Sequence, residues 1–555
     1  KLAGKNRYHI FDADQDRIVR GHHESLQHIQ EALVAREFVL FFQPKVNMGT
    51  GAVIGAEALI RWRHPEKGLL PPSAFLPLIE NHGTSVDIGE WVIDAALSAQ
   101  ESWRERGLHI PVSVNIGARQ LQQPDFVDRL RDLLARHSSI RRGDLELEIL
   151  ETSALEDLPG VSRVIHKCLD LGVGFALDDF GTGYSSLTYL KRLPVTTLKI
   201  DQSFVRGMLD DPDDLAILEG VVGLAAAFRV LFLGTGFSIE VRSPLPGGPI
   251  LLAADALSAL FLVPVFLVPA LGAVYGLGYW PGREHRRDAR KLRFFLGLLA
   301  ASMAVVLLAR SGVAFLVAWE VMALAAFFAA TTEDRQPAVR EAGWIYLVAT
   351  HAGTLGLFGM TALLRATTGS FAWVAPAGGL AATGTAHLVF LLALVGFGAK
   401  AGLFPFHFWL PGAHAGAPSH VSAVMSGVML KVGIYGLLRV ASFYGAPPSW
   451  WGALLLVLGA TSALYGAALA AGQTDVKRLL AYSSIENVGI VSTGIGVALL
   501  GRAGGRPEWV ALGLGGALLH VLFHSLFKPL LFLGAGAVLH ATGTREMDRM
   551  GGLLR

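Results

Sequence analysis

At 555 residues the chain has room for several domains. Its formal net charge of +2 lacks the basic excess that a nucleic-acid polymer would demand of its main partner. Its single cysteine, Cys168, excludes an internal disulfide and fits a reducing cytoplasm for the part that carries it. The 17% of charged residues is an average over two unlike halves. Up to about residue 228 the chain is rich in Asp, Glu, Arg and His. From about residue 250 it runs in long stretches of Leu, Ala, Gly and Val. No signal-peptide pattern opens the sequence, which begins at Lys1 as though within a domain.

In chain order, residues 1–12 resemble the last strand of a diguanylate cyclase-type (GGDEF) domain, whose tail is expected over 1–20. A connecting helix follows over 21–36, with Leu26, Ile29 and Leu33 on one face. Strands are then predicted at 39–46, 53–62, 112–116, 145–150, 174–177 and 197–200. Helical patterns at 85–106, 125–137 and 158–171 separate most of them. This alternation predicts a parallel sheet and, at this spacing, a (β/α) TIM-type barrel over 37–229. Chemistry on such a barrel sits at the C-terminal ends of strands. That is where Gln43, Glu57, Arg61, Asn115, Glu148, Asp178, Asp179 and Lys199 fall. One polar residue there reads as a cap; eight over six strands read as a site.

The centre of that site is the end of the 174–177 strand. An apolar run stops at two adjacent carboxylates, Asp178 and Asp179, and a glycine-punctuated loop follows. Side chains alternate along a strand, but where the chain turns both acids can face one point. Paired carboxylates at a strand mouth suit a pair of hard cations. A solvated Asp-Asp turn is the bland alternative.

Gln43-Pro-Lys-Val46, Glu57-Ala-Leu-Ile-Arg-Trp62, Ser113-Val-Asn115, Leu147-Glu148-Ile-Leu-Glu151-Thr152, Asp178-Asp-Phe-Gly-Thr-Gly-Tyr-Ser-Ser186 and Leu198-Lys-Ile-Asp201 together resemble the EAL-type cyclic di-GMP phosphodiesterases. The resemblance covers about 30–228. It implies two-metal hydrolysis of cyclic di-GMP to linear pGpG. Glu57, Asn115, Glu148 and Asp178 would hold one Mg²⁺ or Mn²⁺, with Asp179 helping to hold a second. Lys199 would contact the attacking water; Gln43, Leu59 and Arg61 would grip the dinucleotide; Glu151 would pin the loop after Asp179. The physics agrees: two metals acidify a water and stabilise the entering and leaving oxygens, and an arginine pairs bidentately with phosphate. The chain departs from the family after Lys199. A helix is expected at 213–229, but the family's seventh strand, ending in Glu-Gly-Val-Glu, and its eighth strand have no counterpart. Glu219-Gly-Val-Val222 falls inside the helix, so Glu219 reads as a helix-surface residue. An incomplete barrel is therefore expected, with two exposed sheet edges.

Residues 230–249 form a junction. Its segment 242–249, rich in Pro and Gly, reads as a loop. An all-α polytopic bundle then occupies 250–555, with apolar runs near 250–280, 294–309, 312–330, 344–364, 387–404, 420–443, 451–471, 479–500 and 509–540. This predicts about nine spans. Charges inside these runs are costly in lipid and should face a polar interior. They are Glu320, Lys400, Lys431 and the group His520, His524 and Lys528, which share one helix face at a spacing of four. Snorkelling toward a helix end is the bland alternative, weakest for the His-His-Lys face. Titratable groups strung through a bundle are the parts of a proton relay; His520 and His524 as metal ligands lack an evident third partner.

Trp319-Glu320, Lys400-Ala-Gly-Leu-Phe-Pro-Phe-His-Phe-Trp-Leu-Pro411, His414, Ala417-Pro-Ser-His-Val421, Lys431, Asp475-Val-Lys-Arg-Leu-Leu-Ala-Tyr-Ser-Ser484 and Gly534-Ala-Gly-Ala-Val-Leu-His-Ala-Thr-Gly-Thr544 resemble antiporter-like subunits of complex I, Mrp antiporters and, above all, the B subunit of hydrogenase-4-type complexes. The resemblance implies a proton relay through Glu320, Lys400, His414, Lys431, His520, His524 and Lys528. Glu320 and Lys400 would be a coupled pair, and Pro405 would mark a broken helix. It also implies companion membrane subunits. The family's first spans and a later lysine- or glutamate-bearing helix are not matched.

A multi-pass protein of the bacterial inner membrane is expected. The loop 281–293 carries Arg283, Arg286, Arg287, Arg290, Lys291 and Arg293. Arg335, Arg340, Lys477, Arg478, Arg545 and Arg549 fall on the same face, which the positive-inside rule makes cytoplasmic. A single span at 250–280 then puts the barrel outside, although its messenger is cytoplasmic. Only an extra crossing near 221–237 reconciles the two, and Arg229 speaks against one. Three readings follow: a phosphodiesterase fused to a proton-conducting subunit, a catalytically dead binding module that senses the dinucleotide, or a join of two partial genes without integrated activity.

Overall fold

The computed structural model describes residues 25–48, 50–150, 157–180, 193–207, 212–242, 249–280, 286–374 and 379–551. The expected GGDEF-like tail, Glu151 and the loop 181–192 lie outside them. The chain divides into two compact units at Ser203/Phe204.

In the first unit the strands are β1 (Phe38–Val46), β2 (Val53–His64), β3 (Gly68–Leu70), β4 (Val112–Asn115), β5 (Leu145–Leu150), β6 (Gly174–Phe180) and β7 (Thr197–Ile200). They form one sheet in the order β1-β2-β4-β5-β6-β7, with β3 paired to β2. From β2 to β7 the neighbours on this path are parallel, as expected. The first pair is not: β1 runs antiparallel to β2, with Phe38 opposite Trp62 and Gln43 opposite Glu57. The connection over 47–52 is too short for the crossover that a parallel pair needs. Among the described residues no further strand joins β7.

Helices Thr84–Glu105, Phe126–Arg136 and Leu158–Leu171 make the crossovers. The last is capped by Asp157, whose side chain accepts from the Gly160 amide, and ends at left-handed Gly172. Alternation sorts the strand residues. Val112, Val114, Leu145, Leu147, Ile149, Phe175 and Leu177 pack outward into one apolar core. The intervening residues, Ser113, Asn115, Glu146, Glu148, Ala176, Asp178, Thr197 and Lys199, share the other face.

The second unit begins with the helix Pro212–Leu233 and a separate antiparallel hairpin, β8 (Phe237–Val241) with β9 (Ile250–Ala254). The sequence reading missed both strands. The apolar run at 250–280 is therefore divided: five residues are strand, and the helix Ala256–Tyr279 starts after Asp255, which accepts from the Ser258 amide. Arg439 fastens this corner, donating to both carboxylate oxygens of Asp255 at 2.6 and 2.8 Å. Nine described helices between Ala256 and Thr542 are long and apolar enough to cross a membrane. The helix Ser419–Ser442 contains a π-helical turn at Met425–Met429.

Candidate functional site

The polar face of the first unit converges at the C-terminal ends of its strands. Glu57, Glu148 and Asp178 each bring a carboxylate oxygen within 4.8 Å of the others. Lys199 lies among them and donates to Glu57 at 3.1 Å, Glu148 at 2.5 Å and Asp178 at 2.8 Å. The Asn115 amide donates to Glu57 at 2.9 Å. Three oxygen donors gathered about one positive charge fit a hard divalent ion such as Mg²⁺ or Mn²⁺ better than zinc.

The second acid of the pair is placed differently. Asp179 has φ of 53°, in the left-handed region, and the β6–β7 register shifts between Leu177 and Phe180. Asp179 is not one of the three converging carboxylates. It lies near Asp178, Lys199 and Asp201. Asp201, part of a motif but given no role by the sequence reading, is its neighbour.

Charge balance differs among these acids. Burial alone would raise Glu57, but Lys199 and the Asn115 amide outweigh it and hold Glu57 below the usual carboxylate value. Glu148, whose side chain is fully buried, is pushed up by burial, only partly offset by Lys199 and Lys45. Asp179 is raised by burial and by its acidic neighbours, Asp178 and Asp201. Lys199 loses by burial but gains more from its carboxylate partners and stays cationic.

The expected substrate grip lies along β1 and β2. Gln43 is exposed and faces Glu57 across the pair; Leu59 and Arg61 follow Glu57 at two-residue spacing and are half-buried. The Arg61 guanidinium lies 5.9 Å from the Phe41 ring centroid and donates to the Ile60 carbonyl. Lys45, two residues after Gln43, belongs to the Gln43–Val46 motif and has no role among those the resemblance implies. It donates to Glu148 at 2.8 Å and Glu146 at 3.2 Å, and also reaches Ser113.

In the membrane unit Lys400, His414, Lys431, His524 and Lys528 are buried, and Glu320 and His520 are half-buried. Glu320 pairs with His351 at 3.2 Å, and Lys400 donates to the Tyr346 hydroxyl at 3.1 Å. His351 and Tyr346 stand on the helix Pro337–Thr368; the sequence reading passed over both because single polar residues in an apolar run carry no spacing signal. Lys431 donates to the Ser426 carbonyl of the π turn at 2.5 Å. His520 bonds Asn487 at 2.8 Å, and Lys528 donates to Ser483 at 2.9 Å. The ring nitrogens of His414 and His524 have no hydrogen-bond partner among the described residues. The helix Gly384–Ala401 ends at left-handed Gly402, and the next helix starts at Leu410, so the chain is broken around Pro405.

Comparison with known proteins matches the two parts to two families. Residues 26–237 match the EAL domain, and residues 309–555 match the transmembrane domain of NADH:quinone oxidoreductases and Mrp antiporters. Hydrogenase-4 component B of Escherichia coli (strain K12) is 38% identical over 61% of this chain and 51% of its own length. The bifunctional diguanylate cyclase/cyclic di-GMP phosphodiesterase MucR of Pseudomonas aeruginosa is 39% identical over 44% of this chain and 35% of its own length. The Mrp complex of Dietzia sp. DQ12-45-1b superimposes with a TM-score of 0.51 at 29% identity, over 62% of this chain and 37% of that one. The chain spans about half the length of the hydrogenase relative and a third of MucR. A match over 61% of the chain cannot fit within residues 247–555, so the hydrogenase likeness extends back into the helix Pro212–Leu233, which the EAL match also includes.

Proposed function

We propose that this multi-pass membrane protein, an EAL domain joined to an antiporter-like membrane domain, hydrolyses cyclic di-GMP to linear pGpG at the mouth of its sheet. We propose also that its membrane unit moves protons beside companion subunits of a hydrogenase- or complex I-like assembly. The convergence of Glu57, Glu148 and Asp178 about one cationic centre carries the first part. Glu57, Asn115, Glu148 and Asp178 would hold one divalent ion and Asp179 would help to hold a second. When bound, such ions acidify a water and stabilise the charge that develops on the phosphodiester. Lys199, cationic and beside three of these acids, orients the attacking water and offsets negative charge. Arg61 pairs with phosphate as a planar fork, and Gln43 and Leu59 seat the base and sugar. Turnover of cyclic di-GMP by the full chain with Mn²⁺, abolished in Glu57→Ala, tests this reading. The second reading, binding without turnover, is favoured by the sheet order, in which no described strand follows β7. Tight binding of cyclic di-GMP without product would select it. Sequencing continuous genomic DNA across codons 225–250 addresses the join of two partial genes.

For the membrane unit, the support is the row of ionisable groups, buried or half-buried, from Glu320 to Lys528. The two histidines without protein partners fit a path completed by water, since buried polar groups require a partner.

The EAL domain faces the cytoplasm of a bacterial inner membrane in this reading, because the helix Pro212–Leu233 is a further crossing. Its 22 residues reach about 33 Å, enough for the hydrocarbon layer. Gly220 and Gly223 lie against Ala270 and Phe266 of the helix Ala256–Tyr279, the close approach that small residues allow between membrane helices. Val222, Phe232 and Leu233 point outward and exposed, as lipid-facing residues do. Glu219 and Arg293 line one cavity, which sets the start of this helix beside the arginine-rich start of Arg286–Leu308. The chain before Pro212 then lies on the cytoplasmic face, and Arg229 snorkels toward the other. Cys168 is buried, so in a Cys168→Ser background a Ser238→Cys thiol on β8 reports the opposite face. Labelling by an impermeant maleimide in intact cells is expected; protection until the membrane is opened would remove the crossing.

A further inference from the structure

Beneath the carboxylates of the proposed site lies a second polar layer, one step deeper along the same strands. Lys45 on β1, Ser113 on β4, Glu146 on β5 and Thr197 on β7 make it up. Each of the last three stands two residues before a member of the upper layer: Asn115, Glu148 and Lys199. Side chains two apart on a strand share a face, so the two layers are stacked.

The hydrogen bonds of this layer are directional. Glu146 has both oxygens occupied on its own level: Thr197 donates to one at 2.6 Å, and Ser113 and Lys45 donate to the other at 2.8 and 3.2 Å. Glu146 therefore serves as an anchor for the Lys45 ammonium. From that anchor Lys45 reaches up to Oε1 of Glu148 at 2.8 Å, while Lys199 takes Oε2 from the mouth side at 2.5 Å. The Glu148 side chain is fully buried, so these two lysines determine its orientation.

We propose that Lys45 is a positioning residue of the hydrolytic site: anchored by Ser113 and by Glu146, which Thr197 holds in turn, its ammonium fixes one oxygen of Glu148 so that the other points at Glu57 and Asp178. This rests on the phosphodiesterase reading above. A buried carboxylate with one oxygen held keeps a single rotamer, and groups that orient a ligand from behind commonly govern how tightly an ion is held. The competing expectation has the opposite sign. If Lys45 only adds positive charge near the site, it repels a divalent ion, and its removal tightens binding.

Mn²⁺ titration of the full chain in detergent, followed by calorimetry, separates these. The wild-type chain is expected to bind Mn²⁺, and Lys45→Met to bind it about 10- to 100-fold more weakly. Glu146→Gln, which keeps the lysine but loosens its anchor, is expected to weaken binding by a smaller factor. The double variant is expected to be no weaker than Lys45→Met, since both act through Glu148. Unchanged or tighter binding in Lys45→Met overturns the proposal, as does full additivity in the double variant. Should Lys45→Met fail to fold by circular dichroism, Glu146→Gln carries the test, and wild-type affinity there overturns it. Absence of Mn²⁺ binding in the wild-type chain would instead overturn the phosphodiesterase reading itself.

Discussion

The two regions that carry ionisable side chains treat them in opposite ways. At the mouth of the sheet the two lysines sit among acids: Lys199 meets three carboxylates, and Lys45 meets two. In the membrane unit Arg439 and Arg310 meet Asp255, but the lysines and histidines of the expected relay are bonded, among the described residues, to other kinds of group or to none. Lys400 is given a phenol, Lys431 a carbonyl and Lys528 a hydroxyl, and the rings of His414 and His524 are given no hydrogen-bond partner among the described residues. A crowd of acids around a fixed cation stabilises one charge distribution and suits holding ions and a dianionic substrate. Groups held apart in a dry interior are each costly to charge, so that arrangement does not suit holding a fixed ion.

Breaking the first arrangement should have the largest effect. Glu57→Ala removes one of three converging carboxylates, and hydrolysis of cyclic di-GMP should fall by about 10²–10³-fold or more, the range seen when one charge-stabilising group is lost. Product formation followed by chromatography checks it, and near-normal turnover would mean that the cluster is structural.

A smaller effect, of opposite sign for stability, is expected where a group stands alone. His524→Phe replaces an unpartnered buried ring by an apolar one of similar shape. The membrane unit should gain about 1–3 kcal/mol in stability while proton flux into vesicles falls. A loss of stability would show that His524 is satisfied in a way the contrast denies.

The smallest effect belongs to the paired charges on the outer wall of the first unit. His137 lies between Glu101 at 2.8 Å and Asp94 at 3.2 Å, with Arg136 also within 3.6 Å of Asp94. Burial lowers its pKa, but hydrogen bonds to the two acids outweigh this and leave it above the ordinary 6.5. A raised folded-state pKa contributes stability that is complete below about 6.5 and is lost as pH rises through the folded value. The urea midpoint of this unit should therefore decline across that window by an amount worth about 1 kcal/mol or less, and His137→Gln should flatten the decline.

Much of this was legible in the sequence because it rests on spacing. Strand ends placed Glu57, Glu148, Asp178 and Lys199 on one mouth, and long apolar runs located the spanning helices, although Arg286–Leu308 and Pro337–Thr368 start well before the runs at 294 and 344. What was not legible depends on partners far along the chain. Lys45 gains its meaning only from Glu146 and Glu148, about a hundred residues away. The strand Ile250–Ala254 was hidden because a short apolar stretch reads equally as the start of a helix. The helix Pro212–Leu233 was assigned to the barrel because Glu219 and Arg229 gave it a soluble appearance; its packing partners lie in the membrane unit. The antiparallel β1–β2 pair could have been read from its short connection, but a barrel template overrode it.

Asp179 sits where the backbone would be most at ease as glycine. Its left-handed φ costs most residues with a β-carbon about 1–2 kcal/mol, and aspartate less than most. The same twist falls where the β6–β7 register shifts, between Leu177 and Phe180. Local comfort and the second carboxylate are thus mutually exclusive at this position, and a glycine there would yield a sturdier, blunter domain.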